Sequence, residues 1–210
     1  MACQPAKFVA EGASPERVRD LALLPPAAFV SYVERGNQMT HSDSLSAITD
    51  SLFLAVTDRA RHLPIDTTLA FDSLTRLRML PELEAIMQRA ALQKNRGEIG
   101  LPPVLDSLIE SAGRRYGLAL IGSGFGRRRG NYAGQSAKAL GVGLLTLGMY
   151  VPVPYKSGLT VFAFVLDAEA DRVVFVGRTG QLEKDPTTEE AVERQVVESM
   201  RGFYYPARRR

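Results

Sequence analysis

Apolar positions recur along this chain at two distinct spacings, and the order of those spacings predicts an α/β architecture. Residues 4–17 are rich in Ala, Pro, Glu and Gly without periodicity and read as a tether. Val18 to Leu24 predicts a short first strand, stopped by Pro25-Pro26, which cannot donate to a ladder, and Ala27 to Val33 continues extended. Behind the N-cap oxygens of Ser42, Asp43 and Ser44, the residues Leu45, Ile48, Leu52 and Val56 recur at helical spacing, giving an amphipathic helix to about Arg61. Ile65 to Phe71 is a further strand candidate. Helical spacing returns from Asp72 to Lys94, with Pro81 able to open a fresh helix and Gly97 to close it, and again from Val104 to Arg114.

The second half is richer in strand signals. Tyr116 to Gly122 is an apolar run bounded by glycine. Leu159–Leu166 and Arg172–Val176 are β-rich runs separated by the polar turn Asp167-Ala168-Glu169-Ala170-Asp171, which predicts a hairpin. Both faces of its first run are apolar, so that strand belongs in the middle of a covered sheet. The segment from Pro186 starts the last helix, with Val192, Val196 and Met200 inside. Together these elements predict a single α/β domain over 18–202, a mixed sheet with a C-terminal hairpin and helices packed on it. An insertion spans 122–157, and residues 203–210 form a basic tail.

Composition narrows the class. The chain has 210 residues, 45% of them hydrophobic and 23% charged, which is ordinary for a folded soluble protein and excludes global disorder. At this length folding hides roughly 70% of the unfolded surface, enough for a core without staples. With one cysteine, Cys3, no internal disulfide or Cys-based zinc site is possible. The two histidines, His41 and His62, leave little for a metal, and no cofactor is expected. Net charge is +3, carried by 21 Arg and 5 Lys. Arg114-Arg115, Arg127-Arg128-Arg129 and Arg208-Arg209-Arg210 form clusters, read first as solvated faces or tails and second as phosphate-binding groups.

The insertion departs from the rest of the chain. Gly122, Gly124 and Gly126 alternate, three arginines follow, and residues 139–155 carry no charge over 17 positions. Dinucleotide binding fails, because the fingerprint needs a glycine three places after the second and Arg127 stands there. A spanning helix is disfavoured by three glycines and by Pro152 and Pro154. Three readings stay open for the segment: a small-residue helix buried under the sheet, an interface between copies, or a membrane-touching hairpin. Gly141, Gly143, Leu144, Leu147, Met149 and Tyr150 are its candidate partner or self-association residues.

Catalytic signals are thin. Ser123 lacks the flanking glycines of a nucleophile elbow. His41 and His62 lie at the two ends of the first helix, Asp167 and Asp171 suit turn bonding, and Asp50 and Asp58 fall on a helix side expected to be exposed. No acid is spaced to work with a base, and an enzyme is not expected. Cys3 follows a small residue and precedes a polar stretch, as in a bacterial lipoprotein trimmed of its signal peptide; an incidental cysteine near a ragged terminus is the other reading.

The order Tyr116–Gly122, glycine-rich insertion, Leu159–Asp167, Arg172–Phe175 and closing helix resembles the TolB amino-terminal-like fold. Curli secretion channel subunits and lipoprotein activators of penicillin-binding proteins share that fold. Leu21-Ala22-Leu23-Leu24-Pro25-Pro26 followed by a long helix is similar to their opening. The resemblance implies a non-catalytic lipoprotein of the cell envelope, held on the periplasmic side of the outer membrane by acyl chains such as palmitate on Cys3. Its implied partners are envelope proteins or further copies of itself. The alternative is a cytoplasmic phosphate- or nucleic-acid-binding module using Arg127, Arg128 and Arg129 together with Arg208–Arg210.

Overall fold

A computed structural model of the chain describes residues 7–34, 38–70, 72–92, 98–127 and 156–207. Three long strands make the centre of its sheet: β6 (Tyr116–Arg127), β7 (Ser157–Asp167) and β8 (Arg172–Arg178) pair antiparallel in sequence order. β7 is central because both its faces are apolar and covered, as the alternation predicts, with Val161, Ala163 and Val165 on one side and Phe164 and Leu166 on the other all fully buried. Its hairpin to β8 closes through Asp171 in the left-handed region, φ +49°, a conformation Asp tolerates better than most residues.

Beyond β6 the sheet divides. β2 (Leu21–Leu23) and β3 (Ala27–Val33) both run parallel to β6, at Ala22↔Gly117 and Ala27↔Ile121, so they occupy one lane interrupted by Pro25-Pro26 with a one-residue slip. The parallel strand β5 (Ile65–Thr68) extends the β2 part, and the antiparallel strand β4 (Met39–His41) extends the β3 part. At the opposite edge β1 (Lys7–Val9) pairs antiparallel with β8.

Helix side chains satisfy the open edge of β3. In α1 (Asp43–Arg59), the Asp50 carboxylate accepts from the Ala28 N–H at 2.6 Å and the Ser46 hydroxyl accepts from the Val30 N–H at 3.0 Å. In α2 (Ser73–Leu92), Arg76 pairs with Asp50 and also donates to the Pro26 carbonyl at 2.8 Å. These bonds close an edge that would otherwise recruit another strand. They also correct the expectation that Asp50 faces solvent: its side chain is 17% exposed. Burial raises the Asp50 carboxyl above its ordinary value, outweighing Arg76 and the Ala28 N–H, which lower it. The folded chain therefore holds this proton more tightly than the unfolded chain. Asp50's contribution to stability falls as pH rises from the ordinary value of 3.8 through the raised one. Asp50→Asn keeps an acceptor for Ala28, and melting curves across that window should show a flatter pH dependence; an unchanged slope would contradict this.

Two helical layers sandwich the sheet. α1 and α4 (Glu189–Ser199) cover one face, where Phe53, Val161, Val165, Phe175, Val192 and Val196 form the core. α2 and α3 (Pro103–Ser111) cover the other, over Met79, Leu83, Ile109, Phe164 and Leu166. The face that α1 buries is rotated from the expected one. Ser46, Thr49, Phe53, Val56 and Thr57 point inward while Ile48 is 46% exposed. The inward hydroxyls are satisfied locally, Thr57 Oγ1 donating to the Phe53 carbonyl at 2.7 Å and Thr49 Oγ1 to the Leu45 carbonyl at 2.9 Å. Pro81 does not start a new helix but lies inside α2. The carbonyl it leaves without a donor belongs to the turn of Leu77, which is 64% exposed and open to water.

Both ends of the domain extend further than the sequence suggested. Lys7–Val9, read as tether, forms β1, with Phe8 buried. Phe203, read as the start of the tail, is 7% exposed and stacks on Phe175 at 4.9 Å, and the Tyr204 hydroxyl donates to the Val18 carbonyl at 2.9 Å.

Candidate interaction surface

On the α2 side of the sheet the far ends of β3, β6 and β7 carry a set of aromatic and apolar residues that register brings together. Directly opposed residues share a face, so Phe29, Ser123 and Thr160 form one row and Ser31, Phe125 and Gly158 the next, with His41 beside Ser31. Val33, Arg127 and Met39 form a third row, and Phe162 sits opposite Arg178. Phe29 is 43% exposed and Met39 63%. α2, which covers this same face, exposes Leu74 and Leu77. An accumulation of exposed large apolar side chains on one side marks an interaction surface better than single exposed residues do.

Cations trim this apolar surface. The Arg127 guanidinium lies over the Phe125 ring at 5.7 Å, and that of Arg178 over Phe162 at 5.4 Å. None of these rows holds a carboxylate among the described residues. At the rim, Asp43 lies 3.2 Å from His41 Nε2. Gly158 makes room for the arrangement, since a Cβ there would meet the Phe125 ring at 3.0 Å and also the Gln181 amide. Such a surface suits a partner that brings apolar side chains and neutral or negative charge.

Arg127 is half-buried at the end of β6, while Arg128, Arg129, Cys3, Gly141, Gly143, Leu144, Leu147, Met149, Tyr150 and Arg208–Arg210 lie outside the described residues. The alternating glycines belong to β6, not to the insertion. They fall on the α1 face, where Gly122 lets the Phe53 ring approach to within 2.8 Å of a would-be Cβ. Phe203 and Tyr204, aromatic neighbours of the C-terminal arginines, are committed to packing, which leaves them poorly placed to stack on bases. His62 meets Tyr205 edge-on at 5.6 Å. Asp167 does bond its own turn, accepting from the Ala170 N–H at 3.3 Å, and is also held by Arg115. No group of three or more metal-ligating side chains occurs among the described residues, and no described helix is long and apolar enough to cross a membrane.

No family model matches this chain, and no curated protein does. Among solved structures it is similar to a PelC variant dodecamer from Paraburkholderia phytofirmans, at 11% identity and a TM-score of 0.38, covering 98% of this chain and 100% of that one. A second PelC dodecamer from the same organism gives 9% identity and 0.38 over 92% and 94%. The LpoB C-terminal domain from Salmonella enterica gives 12% identity and 0.31 over 83% and 88%. At this distance the comparisons assign no function.

Sequence reasoning missed Phe29, Met39, Leu74 and Leu77. Phe29 did carry a signal, an outward position between the buried residues Ala28 and Val30, but its direction depends on knowing how β3 pairs with β6.

Proposed function

We propose that this chain is a non-catalytic docking or assembly component of a cell-envelope complex. In this reading Cys3 carries acyl chains that hold it at the outer membrane on the periplasmic side, and its partners are envelope proteins or further copies of itself. The observation that carries the reading is the aromatic and apolar surface of Phe29, Met39, Phe125 and Phe162, framed by arginines and with no carboxylate in its rows among the described residues. The segment holding Gly141, Gly143, Leu144, Leu147, Met149 and Tyr150 leaves the sheet after Arg127 and returns before Ser157, at this same margin. Its 17 uncharged residues are most favourably placed against a partner, and in this reading they extend the surface.

The position of β1 adds a geometric consequence. Only three residues separate Cys3 from Lys7, and four chain steps of about 3.5 Å give a reach of roughly 14 Å. An acylated Cys3 would therefore hold the β1–β8 edge close to the bilayer, whereas a tether to residue 17 would let the domain range freely. When the natural gene is expressed with its own upstream region in a bacterial host, the protein is expected in the membrane fraction. Cys3→Ser should move it to the soluble fraction, because stable anchoring needs acyl chains. Equal partitioning of the two would contradict the anchor.

A further inference from the structure

A cavity of about 120 Å³ opens between the turn at residues 12–18 and the strand ends at Tyr116, Asp167 and Arg172. Its charged lining is lopsided, with Arg17, Arg115 and Arg172 against the single carboxylate of Asp167. That carboxylate is already engaged, one oxygen accepting from Arg115 Nε at 2.9 Å and from the Ala170 N–H, the other from Arg115 Nη2 at 3.0 Å. The remaining Arg115 nitrogen reaches Glu169 at 2.5 Å, outside the cavity lining.

The other lining donors are Arg172, Arg17 and the Tyr116 hydroxyl. Arg172 Nε is buried with no hydrogen-bond partner, although its Nη1 lies 3.6 Å from the exposed Glu98. The Arg17 guanidinium has no ion pair or side-chain hydrogen bond among the described residues, and neither does the Tyr116 hydroxyl. Burial pushes that hydroxyl up from its ordinary value, so it stays protonated and able to donate at neutral pH. Ser14 is unavailable, being bonded to Glu16. A buried donor left without an acceptor is rare and calls for an explanation. Here that one buried donor shares a space with the exposed Arg17 guanidinium and the Tyr116 hydroxyl, in a lining that carries three arginines and one carboxylate. The volume equals about four waters at ~30 Å³ each, enough for one small oxyanion group.

We propose that this cavity is an anion site that takes a single carboxylate or phosphate group, with Arg17, Arg172 Nε and the Tyr116 hydroxyl as its donors. Asp167 does not ligate the anion; it fixes Arg115 and so shapes the wall. The site lies on the described strands and their turn, and it stands independently of the docking reading.

Full-length protein titrated with sodium phosphate, sodium acetate and sodium chloride at constant ionic strength provides the test, read by the arginine Nε–H resonances. Phosphate or acetate should give saturable shifts that include Arg172, with chloride giving none. A stronger response to phosphate would assign the ligand as a phosphoryl group, and a comparable response to acetate would assign a carboxylate. Arg17→Gln, on an exposed turn, should weaken binding at least tenfold, as loss of a charge-assisted hydrogen bond does, and Arg17→Lys should restore part of it. The absence of any saturable shift, a chloride response equal to the others, or binding undiminished in Arg17→Gln would each overturn the assignment.

Discussion

Gly177→Val is expected to yield no folded protein. Gly177 lies in β8 between Ala163 of β7 and Lys7 of β1, and the backbone carbonyl of Ser199, at the end of α4, rests directly on it. A Cβ at this position would fall far inside contact distance of that carbonyl and also meet the Phe175 ring at 2.8 and 2.9 Å. Ser199 is fully buried, so the helix end cannot move aside without opening the core beneath it. Overpacking a tight core site costs about 1–3 kcal/mol where side chains can give way. Here backbone opposes the new atoms, and valine adds two further methyl groups. Against a total stability of about 5–15 kcal/mol, the variant should aggregate or lack a cooperative melting transition. Gly180→Ala is the matched control: nothing lies within 4 Å of its would-be Cβ, and its melting curve should overlay the parent's. A Gly177→Val protein melting within a few degrees of the parent would contradict the packing described here.

The largest functional effect is expected from Phe29→Asp combined with Met39→Asp. Both side chains are well exposed, at 43% and 63%, so removing them should leave the melting temperature nearly unchanged. Their proposed contribution lies in contact with a partner, where a buried aromatic anchor is commonly worth 2 kcal/mol or more, about thirtyfold in affinity. Carboxylates would also replace apolar contact with hydrated charge and draw on the arginines that frame the surface. Affinity for the proposed partner, once identified by crosslinking at position 29, should fall by about two orders of magnitude, measured as a dissociation constant on purified components. If the double variant binds as tightly as the parent, the docking surface is elsewhere.

Much of the fold was legible because the central strands are over-determined. β7 could be placed in the sheet interior from its two apolar faces, and β8 from the polar turn that joins them. The parts that were not legible share a physical cause: their identity depends on a partner element distant in sequence. Lys7-Phe8-Val9 is three residues in a loop-like composition and becomes a strand only because β8 offers an edge. Ser46, Thr49 and Thr57 lie outside the apolar periodicity of Leu45, Ile48, Leu52 and Val56, yet they pack inward because the β3 edge and their own helix carbonyls satisfy their hydroxyls. Asp50 is half-buried for the same reason, as the acceptor for Ala28 and the counter-charge of Arg76.

The surface was less legible than the fold. The glycine alternation at 122–126 falls in the expected insertion, yet its period of two continues β6 and clears space for Phe53. The uncharged composition of residues 139–155 was plain from the sequence, but the margin at which the segment attaches is visible only from the β6–β7 register, Gly126↔Ser157. Met39 shares a face with Phe29 through the pairing of β3 with β4, and Phe125 does so through β3 with β6, pairings that no local pattern encodes.

The most direct test of the docking account is photo-crosslinking in living bacteria with a light-activated phenylalanine analogue in place of Phe29, the protein being expressed from its natural gene and upstream region. A discrete adduct with an envelope protein or with a second copy of this chain is expected, absent when the analogue replaces a residue on the exposed side of α4. No adduct at position 29, or adducts only with cytoplasmic proteins, would contradict it.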